Sequence, residues 1–315
     1  MTSGGGVDII TMGRVGVDLY PEQIGVPLAM VRTFAKSLGG SATNVAVAAA
    51  RLGHGAAVIT KVGDDGFGAY VREALREFGV DARWVGTDPD LRTPIVFCEI
   101  FPPDNFPLLF YRLPKAPDMN LRTEELDLDA IARAPLFWTT GTGLSDEPSR
   151  SATLASMGAR HDGITVHDLD YRPMFWPDAR QARRCAVDAV RMSTVVVGNL
   201  DEVEMAVGTR EPEAAGQALL ELGAELAIVK RGPAGVYARR GEEVAEVPPV
   251  PVEVVCGVGA GDAFGGGLCH GLLLGWGLER TMLFANAAGA IVASRLACAD
   301  AMPTSGEVEA LLQRA

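Results

Sequence analysis

Six short runs rich in β-branched and apolar residues recur along the chain: Val7–Met12, Ala56–Val62, Leu136–Thr140, Ile164–Leu169, Thr194–Gly198 and Leu226–Lys230. A short apolar run without polar alternation suits a strand buried on both faces, as in a parallel sheet. Between these runs lie segments with helical spacing of apolar residues, Ala42–Leu52, Phe67–Phe78, Arg150–His161, Ala179–Met192 and Glu213–Leu222. Several close on a glycine, Gly53, Gly79 or Gly223, the usual residue just past a helix end. Parallel strands need crossover connections, so the alternation predicts an α/β fold, a doubly wound sheet built of βαβ units.

Two stretches break the alternation. Residues 16–37 and 93–113 are dense in Pro, Phe and Tyr and favour extended structure. They are expected to form a small sheet projecting from the main layer as a lid, since structureless excursions of that length are uncommon in a compact domain. From Gly261 onward the pattern is helical over Gly261–Leu274, Leu278–Ala297 and Gly306–Gln313. No repeat or low-complexity linker divides the 315 residues, so residues 1–315 are read as one domain with a lid.

The charge balance removes several function classes. With 28 basic against 40 acidic side chains, a net charge of −12, a nucleic-acid backbone is not expected as a partner. No apolar stretch is long enough to span a bilayer, and the start MTSGGG lacks the basic and apolar regions of a secretory signal, so a cytoplasmic protein without a membrane partner is expected. The five cysteines are widely spaced and form no C-x-x-C pair, which argues against a disulfide framework or a zinc ribbon. H-E-x-x-H, G-x-S-x-G and the Walker-type G-x-x-x-x-G-K-[ST] are absent from the sequence.

The most informative motif is Gly257-Val258-Gly259-Ala260-Gly261-Asp262, opening the first of the C-terminal helices. Closely spaced glycines let successive N–H groups converge on one point, where the helix dipole also favours negative charge. Asp262 in the first turn could take a proton from a hydroxyl attacking a γ-phosphate, or could simply cap the helix. A dinucleotide-binding loop is a competitor, but the motif lies late in the chain and no βαβ unit with a ribose-binding acid follows it. A second glycine motif, Gly39-Gly40-Ser41-Ala42-Thr43-Asn44, also opens a helix; its glycines admit a polyol closely and Asn44 can bond vicinal hydroxyls, with Asp18 as a further candidate.

Taken with Asn199-x-x-Glu202, these motifs, in this order and over nearly the whole chain, resemble the ribokinase-like (PfkB-type) carbohydrate kinases. The resemblance implies a three-layer α/β/α fold with a small β-sheet lid and ATP-dependent phosphoryl transfer to a sugar hydroxyl. It implies Asp262 as general base, with Gly259, Ala260 and Gly261 stabilising the transferred phosphoryl group. Asp18, Gly40, Ser41 and Asn44 match substrate contacts, while Asn199 and Glu202 match the motif organising Mg²⁺ and phosphate, Glu202 reaching the metal through water. Lys230, Gly232 and Gly235 match the nucleotide-side turn, Gly257 the edge of the phosphate loop and Asn286 the helix beside the adenine, so ATP and Mg²⁺ are the implied cofactors. Cys256-Gly257 stands where many members carry the Asp-Thr of a monovalent-cation site, which puts potassium activation in question. Cys256 itself is read as a buried small residue.

Two arginines at expected strand ends, Arg112 and Arg172, suggest an acid rather than a neutral sugar, because guanidinium holds carboxylate in a bidentate pair. Residues 99–112, 255–262 and 284–303 resemble the family's sugar-acid branch, above all the kinases of 5-dehydro-2-deoxygluconate in myo-inositol catabolism. Asp170 departs from the Asn found in many 2-keto-3-deoxygluconate kinases. That acid, a neutral sugar such as ribose or fructose, and a non-catalytic sugar sensor are the alternatives. The apolar lid residues Phe97, Phe101, Phe106 and Phe110 suit either a cover over the sugar or a homodimer contact.

Overall fold

Parallel pairing of the apolar runs organises the molecule, seen here in a computed structural model that describes residues 6–314. Residues 1–5 and 315, which include most of the MTSGGG start, lie outside the described residues. The strands are β1 (Ile9–Met12), β2 (Gly16–Pro21), β3 (Phe34–Gly39), β4 (Ala56–Gly63), β5 (Val85–Asp88), β6 (Ile95–Cys98), β7 (Leu108–Tyr111), β8 (Leu136–Thr140), β9 (Ile164–Asp168), β10 (Val195–Asn199), β11 (Leu226–Lys230), β12 (Val236–Arg240) and β13 (Glu243–Val247). The helices are α1 (Ser41–Arg51), α2 (Gly66–Glu77), α3 (Leu128–Arg133), α4 (Ser149–Gly158), α5 (Ala179–Arg191), α6 (Leu200–Val207), α7 (Pro212–Glu221), α8 (Ala260–Leu273), α9 (Leu278–Ala293) and α10 (Ser305–Leu312).

The main sheet has nine strands in the order β13-β12-β11-β10-β9-β8-β1-β4-β5. All neighbours from β11 to β5 are parallel, whereas β12 and β13 add an antiparallel hairpin at one edge. That hairpin was not legible as buried strand, because Arg239, Arg240, Glu243 and Glu246 break its apolar run. Edge strands with one wet face tolerate such charges. The chain runs outward from β1 through β4 and β5, then returns to β8 and proceeds the other way, so the winding reverses between β1 and β8. In such sheets a crevice opens beyond the strand carboxyl ends at the reversal.

Alternating side chains split the core in two. Ile9, Val58, Trp138 and Ile228 face α1, α2, α8 and α9, whereas Ile10, Met12, Ile59 and Phe137 face α3 and α4. Val196, Ala227 and Val229 join the second side by packing on α5, α6 and α7. This is the expected three-layer α/β/α arrangement. A separate sheet in the order β3-β2-β6-β7 draws its strands from the two segments expected to form a small sheet, with β3 running on to Gly39. Helix α9 stops at Ala293, short of the expected Ala297, where the Ser294 hydroxyl donates back to the Ile291 carbonyl at 2.7 Å. Among the described residues no helix is long and apolar enough to cross a membrane.

Candidate active site

At the reversal a cleft of about 860 Å³ separates the carboxyl ends of the main-sheet strands from the inner face of the small sheet. Parallel strands end there together, which brings residues far apart in sequence to one rim: Arg14 just beyond β1, Asp168 ending β9, Asn199 ending β10 and Lys230 ending β11. Of the residues singled out from sequence, Asp18, Gly40, Ser41, Asn44, Arg172, Asn199, Glu202, Lys230, Gly232, Gly235, Gly257, Gly259, Ala260, Gly261, Asp262 and Asn286 all line this cleft.

Arg112 does not. Its Nη2 donates to Asp118 Oδ1 at 2.7 Å, and both side chains are buried outside the cleft lining. The expectation that Arg112 faces the cleft from the end of β7 is therefore corrected. A buried guanidinium needs a counter-ion, and Asp118 six residues on supplies it. Arg14 and Asp168, which line the cleft, were missed. Their position immediately after or at the end of a buried parallel strand was the signal that could have found them.

The glycine loop leads directly into α8. Gly259 is the N-terminal cap of α8 in left-handed conformation, φ 86°, and a Cβ there would come within 2.7 Å of Cys298 Sγ. Lys230 Nζ lies 3.4 Å from where a Cβ on Gly261 would stand, so a cation joins the helix N-terminus at one point. Burial would lower the Lys230 pKa, but Asp168, Glu202, Asp262 and Asp170 override it and hold the ammonium above its ordinary range. Asp168, whose Oδ1 is 3.9 Å from Lys230 Nζ, is pushed up to about 7 by burial, with Lys230 opposing and Glu202, Asp170 and Asp262 adding to the rise.

Asp262 sits in the first turn of α8 and accepts from Asn44 Nδ2 at 2.7 Å. Burial raises it to about 6, against the Asn44 hydrogen bond and the cations Arg14 and Lys230. Asn44 Oδ1 is buried with no partner among the described residues and is free to accept a hydroxyl proton. Across the cleft Asp18, on β2, is also raised to about 6 by burial, with Arg14 opposing and Asp262 adding. Glycine at position 39 is required because a Cβ would overlap the Asp18 carboxylate.

Asp170 is the most heavily bonded acid of the cleft. It accepts Ser41 Oγ at 2.9 Å and Thr142 Oγ1 at 2.5 Å, and pairs with Arg172 Nη2 at 3.1 Å. Burial alone would raise it; Arg172, Arg14 and the two hydroxyls hold it below the ordinary carboxylate range. Ser41 thus donates to the protein. Asn199 and Glu202 form a reciprocal capping box at the start of α6, with Asn199 Oδ1 accepting from Glu202 N at 3.0 Å and Glu202 Oε2 from Asn199 N at 2.7 Å. Glu202 Oε1 remains toward Arg172, 3.5 Å away. Asn286 Nδ2 donates to the Pro248 carbonyl at 2.7 Å and ties α9 to the segment 248–254, whose Pro and Val side chains make an apolar slot. Cys256 is fully buried beside Tyr20, Cys98, Ile100 and Cys298, and burial pushes its thiol up, so it is the small buried residue expected from sequence.

Residues 8–305 match the model of the pfkB family carbohydrate kinases. The chain belongs to that family. This sugar kinase is 38% identical over 308 residues to the 5-dehydro-2-deoxygluconokinase of Photobacterium profundum, covering 95% of this chain and 92% of the relative. To the enzyme of the same name from Bacillus subtilis it is 32% identical over 313 residues, covering 97% and 96%. Its fold matches an Escherichia coli protein designated ribokinase II, solved with ATP and Mg²⁺, with a TM-score of 0.90, 25% identity and coverage of 98% and 100%. In both the sequence match and the superposition, the kinase aligns over nearly its full length.

Proposed function

We propose that this kinase transfers the γ-phosphoryl group of ATP to the primary hydroxyl of 5-dehydro-2-deoxygluconate, a step of inositol catabolism, in the cytoplasm. The observation that carries the chemistry is Asp262, a carboxylate near pKa 6 set beside a glycine-built anion site and Lys230. Support for the substrate comes from the two relatives of that name and from Arg14, a cation in the cleft lining whose donors are not taken by the protein.

In this mechanism Asp18 and the free Asn44 Oδ1 hold sugar hydroxyls, and Asn44 Nδ2 fixes one oxygen of Asp262 so that the other meets the primary hydroxyl. Asp262 takes the hydroxyl proton late in the transfer, when the oxygen has become acidic. The N–H groups of Gly259, Ala260 and Gly261, with Lys230, stabilise the negative charge on the moving phosphoryl group. The 248–254 slot, Gly232, Gly235, Gly257 and Asn286 receive the nucleotide.

Among the described residues no three acidic, His or Cys side chains cluster as a metal cage, yet Glu202 Oε1 and Asp168 both face the phosphate side. That donor set fits a Mg²⁺ ion held chiefly by phosphate oxygens and water, which would neutralise phosphate charge. Asn199 orients Glu202 for it through the capping box.

The small sheet acts as the lid. Phe106 and Phe110 line the cleft and shield the reacting atoms from water, a competing acceptor. Its outer face carries Leu109, Tyr111 and Leu113, the last 89% exposed, and we assign that face to a second copy of the chain. The test is an ATP-coupled assay of 5-dehydro-2-deoxygluconate, 2-keto-3-deoxygluconate, ribose and fructose. The highest kcat/KM is expected for the first, a neutral sugar in first place rejects the acid assignment, and turnover of none rejects all four as substrates.

A further inference from the structure

Arg14, like Lys230 at the phosphate loop, is a cation of this cleft whose side chain makes no hydrogen bond among the described residues. It follows Gly13 at the end of β1, at the reversal of the winding, and its side chain is 11% exposed. Its backbone is held tightly: the Arg14 carbonyl accepts Thr43 Oγ1 at 3.2 Å, and only glycine fits at position 40 because a Cβ would strike that carbonyl. Next along the chain, Val15 N donates to Asp118 Oδ2 at 3.1 Å, and the other oxygen of Asp118 takes Arg112. The guanidinium, by contrast, makes no hydrogen bond among the described residues. Nε is buried and unpartnered, Nη2 stands 3.8 Å from Asp170 Oδ2, beyond hydrogen-bonding range, and the Phe110 ring lies 5.6 Å below.

Of the other cations, two are bonded to acids and the third belongs to the phosphate loop. Arg172 bridges Asp170 and Glu202, Lys230 stands at the phosphate loop beside Asp168, and Arg112 is bound to Asp118. Asp170 at 3.8 Å balances its charge but takes none of its donors, so a rigidly mounted, largely buried guanidinium is left able to hold an anion with two acceptor oxygens.

We propose that Arg14 is the specificity-determining residue that binds the carboxylate of the sugar acid, with Phe110 packed beneath the pair and Arg112 outside the site. This deepens the proposed function and rests on its acid substrate. Asp170 keeps Arg172 occupied, and Arg112 braces residue 15 through Asp118, so that Arg14 presents its fork at a fixed height above the sugar.

The experiment compares the wild-type kinase with R14Q, R14K and R112Q in an ATP-coupled assay, using 5-dehydro-2-deoxygluconate and its uncharged carboxamide. In R14Q the KM for the acid is expected to rise about 10- to 100-fold, the loss that goes with a charge-assisted pair. The ratio of acid KM to amide KM should rise by the same factor in one buffer, because the loss of the Arg14 charge beside Asp262 acts on both substrates alike, a split that a general loss of structure would not produce. R14K keeps the charge without the fork and should fall between; it carries the test alone if R14Q does not fold. An unchanged ratio of acid to amide KM in the Arg14 variants overturns the assignment, as does loss of that discrimination in R112Q but not in R14Q. A wild-type kinase with no preference for acid over amide instead overturns the underlying acid reading.

Discussion

Replacing Asp262 by asparagine should abolish turnover while making the protein more stable at alkaline pH. The amide oxygen of the new side chain can still accept from Asn44 Nδ2, so the local hydrogen bond survives. The native carboxyl is raised from 3.8 to about 6, chiefly by burial. At about 1.4 kcal/mol per pH unit, that corresponds to about 3 kcal/mol of destabilisation when the group is ionised. Cleft water reaches the side chain and screens part of it, leaving about 1.5–3 kcal/mol. The sign follows from linkage: a carboxyl with a raised folded-state pKa favours the folded state below about 4 and loses that advantage as pH climbs through about 6. D262N, which carries no charge at any pH, should therefore match the wild type near pH 4 and exceed it by about 2–5 °C in Tm at pH 8, by calorimetry in both buffers. In the coupled assay kcat should fall about 10²–10⁴-fold, the range of a general base, and wild-type kcat should decline below pH 6. A kcat within tenfold of the wild type would refute the base assignment, and a stability gain equal at pH 4 and pH 8 would refute burial as its origin.

Lys230→Met should raise the KM for ATP about 10- to 100-fold, because it removes the cation beside Gly261 and leaves Asp168 facing the phosphates; isothermal titration with ATP checks it. Gly259→Ala places a Cβ in left-handed backbone 2.7 Å from Cys298 Sγ and should cost at least about 1–2 kcal/mol in denaturant unfolding together with most of the activity. Replacing K⁺ by Na⁺ in the assay should leave kcat unchanged, since the Cys256 thiol is packed among apolar groups and offers no carboxylate; strong potassium activation would contradict this. Sedimentation should show a mass that rises with concentration, and Tyr111→Glu on the outer face of the small sheet should shift it to monomer.

Local chemistry written in contiguous residues was readable from the sequence alone. The buried strands announced themselves because a strand covered on both faces must be apolar throughout, and α8 because closely spaced glycines precede a helical pattern. Reach across the fold was not readable. Arg112 and Arg14 are both arginines beside strands, and nothing in their neighbours tells that Asp118 captures the first while the second keeps its donors open. Likewise nothing near Ser41 in sequence tells that its hydroxyl proton goes to Asp170, 129 positions away. The hairpin β12–β13 escaped because its charges obey the solvent at a sheet edge rather than a buried pattern.

By itself, then, the sequence determined most element types, the glycine loop opening α8 and the candidate base at Asp262, all of which depend on neighbours within a few residues. The tertiary structure decided which cations are spent, which acid is raised to about 6 or 7, and which guanidinium faces the cleft. Those properties depend on burial and on charges brought together by parallel strands ending at one rim, and no local pattern encodes them.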